Sequence, residues 1–326
     1  MAQATGTYSS YDAKGNREDL IDKIFDISPT DCPVTKAIGT STAKSTKHDW
    51  QTDSLAAASA DNAVIEGDEY SYSAPSATTR VQNYTQIFRK TFIVSGTQES
   101  VNKAGRSSEV GYQAAKKSKE IKRDLEASVC SNNASVAGDD TTARKMGGLR
   151  AWIETNDVLG VAGSPASGGY NSGTGVVDAA TDGTARAFTK TLLDTAIKSA
   201  YDNGGEPSMI SLGSFNKQVF SGFMADSAVA QQRRTVDGNS QATITAAADV
   251  YVSDFGSLVV KANRFQRSRD ALILDPEYAS VAVLRKMKVD KPAKTGDAIK
   301  YAVIHECTLR VDNEAAHACV ADLTDA

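Results

Sequence analysis

The densest group of residues able to bind a metal lies near the carboxyl end of the sequence, in the stretch HECTLRVDNEAAHAC. His305 with Cys307, and His317 with Cys319, form two His-x-Cys pairs in a chain with three histidines and four cysteines. Histidine nitrogen and cysteine sulfur are the usual ligands of structural zinc. A turn near residues 312–313 would fold the second pair back opposite the first, so that a four-ligand site is geometrically conceivable.

Strand periodicity favours a different role for these residues. From Ile299 to Val311 the odd-numbered positions are mostly apolar, and they include His305 and Cys307. Structural zinc sites usually present cysteine pairs from short loops, and cysteine is among the residue types most often buried. We therefore expect core packing, with no metal and no cofactor. A zinc-dependent enzyme that uses both His-x-Cys pairs stays open as an alternative.

Other catalytic motifs are missing from the sequence. The stretch GTSTA at residues 39–43 lacks the final glycine of a serine nucleophile elbow. Neither a phosphate-binding loop nor a dinucleotide fingerprint occurs. The acidic pairs at residues 68–69 and 139–140 lie in polar sequence, where solvated carboxylates are the common case. We predict that the chain is not an enzyme and has no catalytic residue.

The composition indicates a folded chain with little bulk attraction for polyanions. Of its 326 residues 40% are hydrophobic, and 36 basic and 40 acidic side chains give a formal net charge of −4. Nucleic acid is therefore not held by a clustered basic surface. The first residues lack the pattern of a signal peptide, and no stretch approaches the roughly 18 apolar residues of a membrane span. We expect a cytoplasmic chain with free thiols and no membrane contact.

The first hundred residues contain two segments that cannot form a core of their own. Residues 1–46 carry one apolar stripe, from Leu20 to Ile27, between polar stretches. The run from Arg80 to Val94 alternates apolar and polar residues, which predicts one strand of about 15 residues reaching roughly 50 Å. A ribbon formed by such a strand and one partner strand would be only marginally stable in water. We therefore expect both segments to pack against another part of the chain or another subunit.

The rest of the chain has the signals of ordinary helices and strands. Ser95 and Gln98 have capping-box spacing, and a longer helix is predicted at about residues 108–131. Its basic residues alternate with acidic ones, which favours a solvated, salt-bridged face over a DNA-binding helix. Residues 155–187 are rich in glycine and serine and predict a long surface loop. A helix, a strand, a second helix and then mostly strands follow it.

Several stretches, taken in this order, resemble the major capsid proteins of tailed bacteriophages. They are EDLIDKIFDISPTDCPVTKAIG, HDWQTDSL, RVQNYTQIFRKTFIVSGTQESVNKAG, KEIKRDLE, GGLRAW and LDPEYASVAVLRKMKVDKPAKTGDAIKYAVIHECTLRVDNEAA. The resemblance covers about residues 17–323. It lies in the order of these segments and in their amino-acid sequences, and none of them is a catalytic motif.

The resemblance implies an α+β chain with the Hong-Kong-97-type capsid fold. Its parts would be an N-terminal arm (1–46), an E-loop β-ribbon (47–94), a peripheral domain with a spine helix and the Gly/Ser loop (95–186), an axial domain (187–275), and the C-terminal strands of the peripheral domain (276–326). Residues expected at interfaces between subunits are Trp50, Glu66, Tyr84, Phe88, Arg89 and Phe92.

The function that the resemblance implies is a self-assembling shell. Pentamers and hexamers of the chain would form an icosahedral or prolate head around phage double-stranded DNA, without sequence-specific binding. Assembly would take place in the cytoplasm of the bacterial host, and the capsid of the virion would be the final location. Portal and decoration proteins are candidate partners, and any scaffolding protein is expected to be separate from this chain. An encapsulin-like compartment, which has the same fold, stays open as an alternative.

Overall fold

The computed structural model describes residues 29–223 and 249–325, and within them it combines helices and sheets as the predicted α+β class requires. The helices are α1 (Pro33–Ala37), α2 (Gly96–Ser100), α3 (Glu109–Val129), α4 (Leu149–Trp152), α5 (Lys190–Asp202) and α6 (Ser214–Gly222). The strands are β1 (Thr40–Thr42), β2 (Lys47–Thr52), β3 (Thr79–Tyr84), β4 (Gln86–Ser95), β5 (Asp157–Val158), β6 (Gly169–Asn171), β7 (Val176–Asp178), β8 (Met209–Leu212), β9 (Val250–Ser253), β10 (Gly256–Ala262), β11 (Ala271–Leu274), β12 (Ala279–Asp290), β13 (Ala298–Val311) and β14 (Ala318–Val320). Two 3-10 turns lie at Pro276–Tyr278 and Glu314–Ala316.

A four-stranded sheet, which we call the body sheet, has the order β1-β12-β13-β4. Strands β12 and β13 form a long antiparallel hairpin, β4 runs antiparallel to β13, and β1 runs parallel to β12. Helix α3 packs against β4 and β13. The core between them includes Phe88, Ile121, Val303 and Cys307. The predicted apolar face is therefore correct along β13, where every odd position from 303 to 311 is buried, but Glu306 and Thr308 on the other face are buried as well.

The run from Arg80 to Val94 is not one strand, as the sequence predicted, but two strands in different sheets. Strand β3 pairs with β2 as a separate ribbon, whereas β4 joins the body sheet through β13. The chain turns at Thr85, whose backbone N–H donates to the carbonyl of Thr46 at 2.8 Å. Trp50 and Val81 of the ribbon pack into the main core, so the base of the ribbon rests on its own subunit.

A six-stranded sheet has the order β5-β14-β11-β8-β10-β9. Helices α5 and α6 share a separate core with it, in which Leu193, Phe220 and Leu258 are buried. The predicted helix, strand, helix and strand series between residues 187 and 275 is present. Two short strands from outside that range, β5 and β14, also belong to this sheet. The division into peripheral and axial domains stays a prediction.

The Gly/Ser-rich segment at residues 155–187 is more ordered than a surface loop. It contains β5 and the β6–β7 hairpin, and Tyr170 stacks on Trp152 with 6.0 Å between ring centroids. The carboxylate of Asp322 accepts the N–H groups of Gly160 at 3.0 Å and Gly183 at 2.6 Å. The segment therefore packs on the body of the subunit.

The helix starts follow the side-chain rules applied to the sequence. The hydroxyl oxygen of Ser95 accepts the N–H of Gln98 at 3.2 Å, which confirms the predicted cap. The hydroxyl oxygen of Ser108 accepts the N–H of Gly111 at 3.1 Å and starts α3. The predicted apolar stripe from Leu20 to Ile27 lies outside the described residues. In the described ranges, every helix is too short or too polar to cross a bilayer.

Candidate assembly surfaces

The two His-x-Cys pairs lie in different sheets. His305 and Cys307 are in β13, which pairs with β12 and β4, whereas Cys319 is in β14, which pairs with β11 and β5. The predicted antiparallel return of the second pair onto the first is therefore wrong. The 3-10 turn after β13, which includes Ala316, carries the chain to the other sheet.

Each of these residues already has a role in packing. His305 Nδ1 lies 3.1 Å from the carbonyl oxygen of Arg285, and His317 Nδ1 accepts the N–H of Asp275 at 3.2 Å. Burial lowers the pKa of His317 to about 4 and raises that of Cys307 to about 12. Among residues 29–223 and 249–325, no three His, Cys, Asp or Glu side chains are grouped to hold a metal ion.

A buried ionic group lies between α4 and the six-stranded sheet. Arg150 Nη1 is 2.8 Å from Asp157 Oδ2, and Arg150 Nε is 3.6 Å from Asp270 Oδ1. Burial raises the pKa of Asp157 to about 6, and it also raises the pKa of Asp270. All three side chains are inaccessible to solvent, so their arrangement connects elements of the fold and presents no charge to a substrate.

The connection between β2 and β3, residues 53–78, is the most exposed part of the described chain, and we call it the acidic loop. Five large apolar side chains in it are at least 80% exposed: Leu55, Val64, Ile65, Tyr70 and Tyr72. It also carries Asp53, Asp61, Glu66, Asp68 and Glu69, with no lysine or arginine. Its side chains make no contact with the core, so its apolar surface is left to water in the single chain.

The six predicted interface residues fall into two groups. Trp50 and Phe88 are buried in the main core, and Phe92 stacks on Tyr301 with 5.5 Å between ring centroids. These aromatic residues hold the ribbon and β4 to the subunit's own body. Tyr84 is half-buried at the end of β3. Glu66 in the acidic loop and Arg89 in β4 are exposed, and both are available to a neighbour.

A polar cluster lies at the turn between the ribbon and the body sheet. Glu306 accepts the Thr85 hydroxyl at 2.9 Å and is paired with Arg144 at 2.9 Å and Arg285 at 2.6 Å. Burial alone would raise the pKa of Glu306, but the hydroxyl and the two guanidinium groups hold it below its usual range. This cluster sets the direction in which the ribbon leaves the sheet.

The described part of the N-terminal arm is attached to α3. Glu126 is fully buried and accepts the N–H groups of Val34 and Thr35, each at 2.9 Å. The side chain of Asn263 donates to the same carboxylate at 2.7 Å. The arm therefore packs on its own chain at residues 33–42, where β1 also pairs with β12.

Sequence reasoning missed Glu126, Glu306 and Thr85. Glu306 had a weak signal, because it is an acidic residue inside a strand whose antiparallel neighbour carries Arg285. Glu126 and Thr85 had none, since their partners are distant in the sequence.

Comparison with known proteins gives a family match over almost the whole chain. Residues 4–324 match the model of the family described as "SU10 major capsid protein". The major capsid protein of Escherichia phage Phieco32 is 38% identical over 134 residues, which are 41% of this chain. That match spans 38% of the Phieco32 protein's own length.

Solved structures share the fold at low sequence identity. The capsid protein of a native GTA particle, computed with C5 symmetry, is 12% identical, with a TM-score of 0.60 over 97% of this chain and 98% of that chain. The holo-SrpI encapsulin complex of Synechococcus elongatus is 10% identical, with a TM-score of 0.55 over 94% of this chain and 92% of that chain. The fold is the Hong-Kong-97 type.

Proposed function

The chain belongs to the SU10 major capsid protein family, and we propose that it is the structural subunit of a closed shell around a phage double-stranded DNA genome. It acts by assembling with copies of itself, and no catalytic residue or cofactor is needed for that role. Pentamers and hexamers are the expected capsomers, and the shell is icosahedral or prolate. We propose that it assembles in the cytoplasm of the bacterial host.

The acidic loop is the observation that carries this proposal. Leu55 is 98% exposed and Tyr72 is 91% exposed, although both are large apolar side chains. Each Å² of such surface contributes about 25 cal/mol when it leaves water, so an interface between subunits is the natural place to bury it. The loop lies on a ribbon whose base is packed into the core, which presents the loop to neighbours without unfolding the subunit.

The charge balance fits a container that does not condense its contents. The chain carries a net charge of −4, so it offers DNA no strong bulk attraction. A shell filled by an external motor only has to enclose the genome, and an anionic wall avoids trapping it. Each subunit would be held by several contacts at once. The closed shell is therefore stable although each single contact is weak.

The division of the chain follows from the same proposal. Residues 1–46 act as the arm, 47–94 as the E-loop, 95–186 and 276–326 as the peripheral domain, and 187–275 as the axial domain around a capsomer axis. Scaffolding, portal and decoration proteins are the further partners we propose for the assembled head.

Assembly of the purified chain tests this function. We expect closed particles in electron micrographs and a sedimentation coefficient far above that of one subunit, either alone or with a scaffolding protein. Control samples in a denaturant should return to a single-subunit mass. A chain that stays a folded monomer at every concentration, with and without a scaffold, would contradict the proposal.

An encapsulin-like compartment is the second candidate, favoured by the likeness to the SrpI encapsulin fold. The content of the particles separates the two functions. Particles from infected cells should contain nuclease-protected double-stranded DNA if the chain is a phage coat. A protein cargo in place of DNA would identify a compartment.

A further inference from the structure

The exposed side of helix α3 carries a row of basic residues. Lys116, Lys119 and Lys122 follow one another at intervals of three residues, and all three are exposed. Residues three and four apart are neighbours on the surface of a helix, so these lysines lie side by side along it. Like charges at this spacing destabilise a helix, and the folded subunit retains that repulsion.

The carboxylates on the same helix are already paired with other basic groups. Glu120 lies 2.9 Å from Lys117 Nζ, and Asp124 lies 2.7 Å from Lys90 Nζ. Within the part of the chain that the structure describes, the three exposed lysines form no ion pair and no side-chain hydrogen bond. The predicted salt-bridged face is therefore present at Lys117, whereas the row of three lysines lacks acidic partners.

A further exposed cation, Arg264, lies just after β10 and makes no ion pair in the described ranges. Its neighbours in the chain both contact α3. The side chain of Asn263 donates to Glu126 at 2.7 Å, and the guanidinium of Arg123 lies 5.3 Å from the ring centroid of Phe265. Arg264 is therefore held next to the carboxyl-terminal half of α3. We give the name basic patch to Lys116, Lys119, Lys122 and Arg264.

The basic patch has no apolar anchor for a protein partner. In α3 and in residues 261–267, no large apolar side chain is exposed. The neutral residues exposed along α3 are small, namely Gly111, Ala115 and Ala127. Protein interfaces depend on a few large side chains buried at their centre. A row of cations without such an anchor suits a polyanion, because a polyanion can be bound through its charges alone.

The dimensions of the patch fit duplex DNA. The row from Lys116 to Lys122 spans about 9 Å of helix, and duplex DNA presents about five phosphate charges over that length. Four cations in a chain with a net charge of −4 give a weak contact that depends strongly on salt. Such a contact does not condense the genome, so it is compatible with a shell that is filled from outside.

We propose that the basic patch binds the phosphate backbone of duplex DNA, and hence that this side of α3 faces the interior of the shell. The contact has no sequence preference, because phosphates carry no sequence information directly. It is weak in one subunit but is repeated in every subunit of the shell. This inference rests on the proposed shell function and names the part of the subunit that touches the genome.

Binding of a labelled duplex of about 30 base pairs to the full-length, unassembled chain tests the patch. Each phosphate contact adds about −0.9 to the slope of log affinity against log salt, so four contacts predict roughly a 100-fold loss between about 50 and 200 mM salt. The patch variant, Lys116→Gln with Lys119→Gln and Lys122→Gln, should lose only about fourfold over this range. It should also be as stable as wild type, because the change removes repulsion and breaks no ion pair.

A matched control removes the same charge elsewhere. Lys44→Gln with Lys198→Gln and Lys286→Gln alters three exposed lysines that have no ion pair in the described ranges. This variant should keep an affinity and a salt slope close to those of wild type. Equal losses in the patch and control variants would show that diffuse charge binds the duplex, and would overturn the proposal. A wild-type chain that binds no duplex at about 50 mM salt would overturn it as well.

Acetylation of lysines in particles identifies the occupant of the patch. An amine-reactive acetylating reagent should modify Lys116, Lys119 and Lys122 several-fold more slowly in DNA-filled particles than in particles emptied of DNA, whereas Lys198 should react equally in both. Equal reactivity of the patch lysines would overturn the proposal. Protection in DNA-free precursor particles that contain a scaffolding protein, lost on filling, would identify an acidic protein segment as the occupant and would also overturn it.

The assembly of shells separates this proposal from the proposed function. The patch variant should form closed shells at the wild-type yield, because the patch contacts DNA and no other subunit. Wild-type shells whose patch lysines gain no protection from DNA would refute the patch and leave the shell function intact. A wild-type chain that forms no shells would refute the shell function, and the contact inside the shell with it.

Discussion

The carboxylate of Glu126 accepts the backbone N–H of Val34 at 2.9 Å, so the last turn of the subunit's longest described helix holds the start of α1 in the N-terminal arm. The same carboxylate accepts the N–H of Thr35 and the side-chain amide of Asn263. A helix begins with N–H groups that have no partner within the helix, and a buried anion satisfies two of them here.

Replacement of Glu126 should release the arm. Glu126→Ala removes the carboxylate that accepts from Val34, Thr35 and Asn263, and we expect the free energy of unfolding to fall by about 2–4 kcal/mol. Urea unfolding measures this loss, and hydrogen exchange should show faster exchange of the Val34 and Thr35 amides. Glu120→Ala is the matched control, since that carboxylate on the same helix contacts Lys117 and should cost under about 0.5 kcal/mol. Equal stability of the two variants would contradict the prediction.

Local patterns were enough to predict much of this fold. Alternation along β13 correctly placed His305 and Cys307 in the apolar face, and the spacing of Ser95 and Gln98 correctly marked a helix start. These features depend on neighbours within a few residues. Such local features can therefore be predicted from the sequence.

Long-range features could not be predicted in this way. The strand propensity of residues 80–94 continues through Thr85, and the run divides where Thr85 contacts Thr46 and Glu306, which are distant in the sequence. The pairing of Cys319 depends on where a 3-10 turn directs the chain. The shell function was predicted from the order of segments in the sequence, whereas the exposure of the acidic loop is seen only in the folded chain.

The cluster around Glu306 predicts that the stability lost on replacing this residue depends on pH. Its pKa lies below the usual value when folded, so its stabilising effect is present above the unfolded pKa of about 4.3 and is lost as pH falls through the folded pKa. Glu306→Gln should therefore lower the free energy of unfolding at neutral pH by about 1–3 kcal/mol.

Measurement against pH tests this assignment. The difference between the wild-type and Glu306→Gln chains in urea unfolding should shrink as pH falls below about 4. A control, Asp290→Asn in the same sheet, alters an exposed pair and should show a difference near zero at each pH. A constant difference between wild type and Glu306→Gln would show that the charge of Glu306 does not stabilise the polar cluster.

His317 predicts a loss of stability in mild acid. Burial lowers its pKa from 6.5 to about 4, so the folded chain keeps the imidazole neutral in that window while the unfolded chain gains a proton. The unfolded state then binds more protons as pH falls, and the folded state loses about 3 kcal/mol over the window. Asp157, with a pKa raised to about 6, titrates with the opposite sign.

The opposing titration means that two chains must be compared. His317→Gln keeps an acceptor for the Asp275 N–H but cannot gain a proton, so the variant should lose about 3 kcal/mol less than wild type between pH 7 and pH 4. Urea unfolding at several pH values measures the free energy of unfolding of the wild-type and His317→Gln chains. Parallel curves for the two chains would refute the role of His317.

The acidic loop provides the last prediction, which separates assembly from folding. Replacement of residues 57–78 by a short Asn-Gly turn keeps β2 and β3 paired and keeps Trp50 and Val81 in the core. We expect a soluble subunit with near-native helix content by circular dichroism, and no closed shells by sedimentation. The reason is that every deleted residue is exposed and none belongs to the subunit's own core, whereas the proposed function assigns these residues to contacts with neighbours.

A second variant keeps the length of the acidic loop and changes only its apolar side chains. Val64→Ser, Ile65→Ser, Tyr70→Ser and Tyr72→Ser keep the loop and its carboxylates but remove most of its exposed apolar surface. This variant should also assemble poorly, because the carboxylates alone form screened surface pairs that are worth at most about 1 kcal/mol each. Shells at the normal yield from the shortened chain would refute the assembly role. If the shortened chain does not fold, the loop stabilises the subunit although its side chains are exposed in the structure.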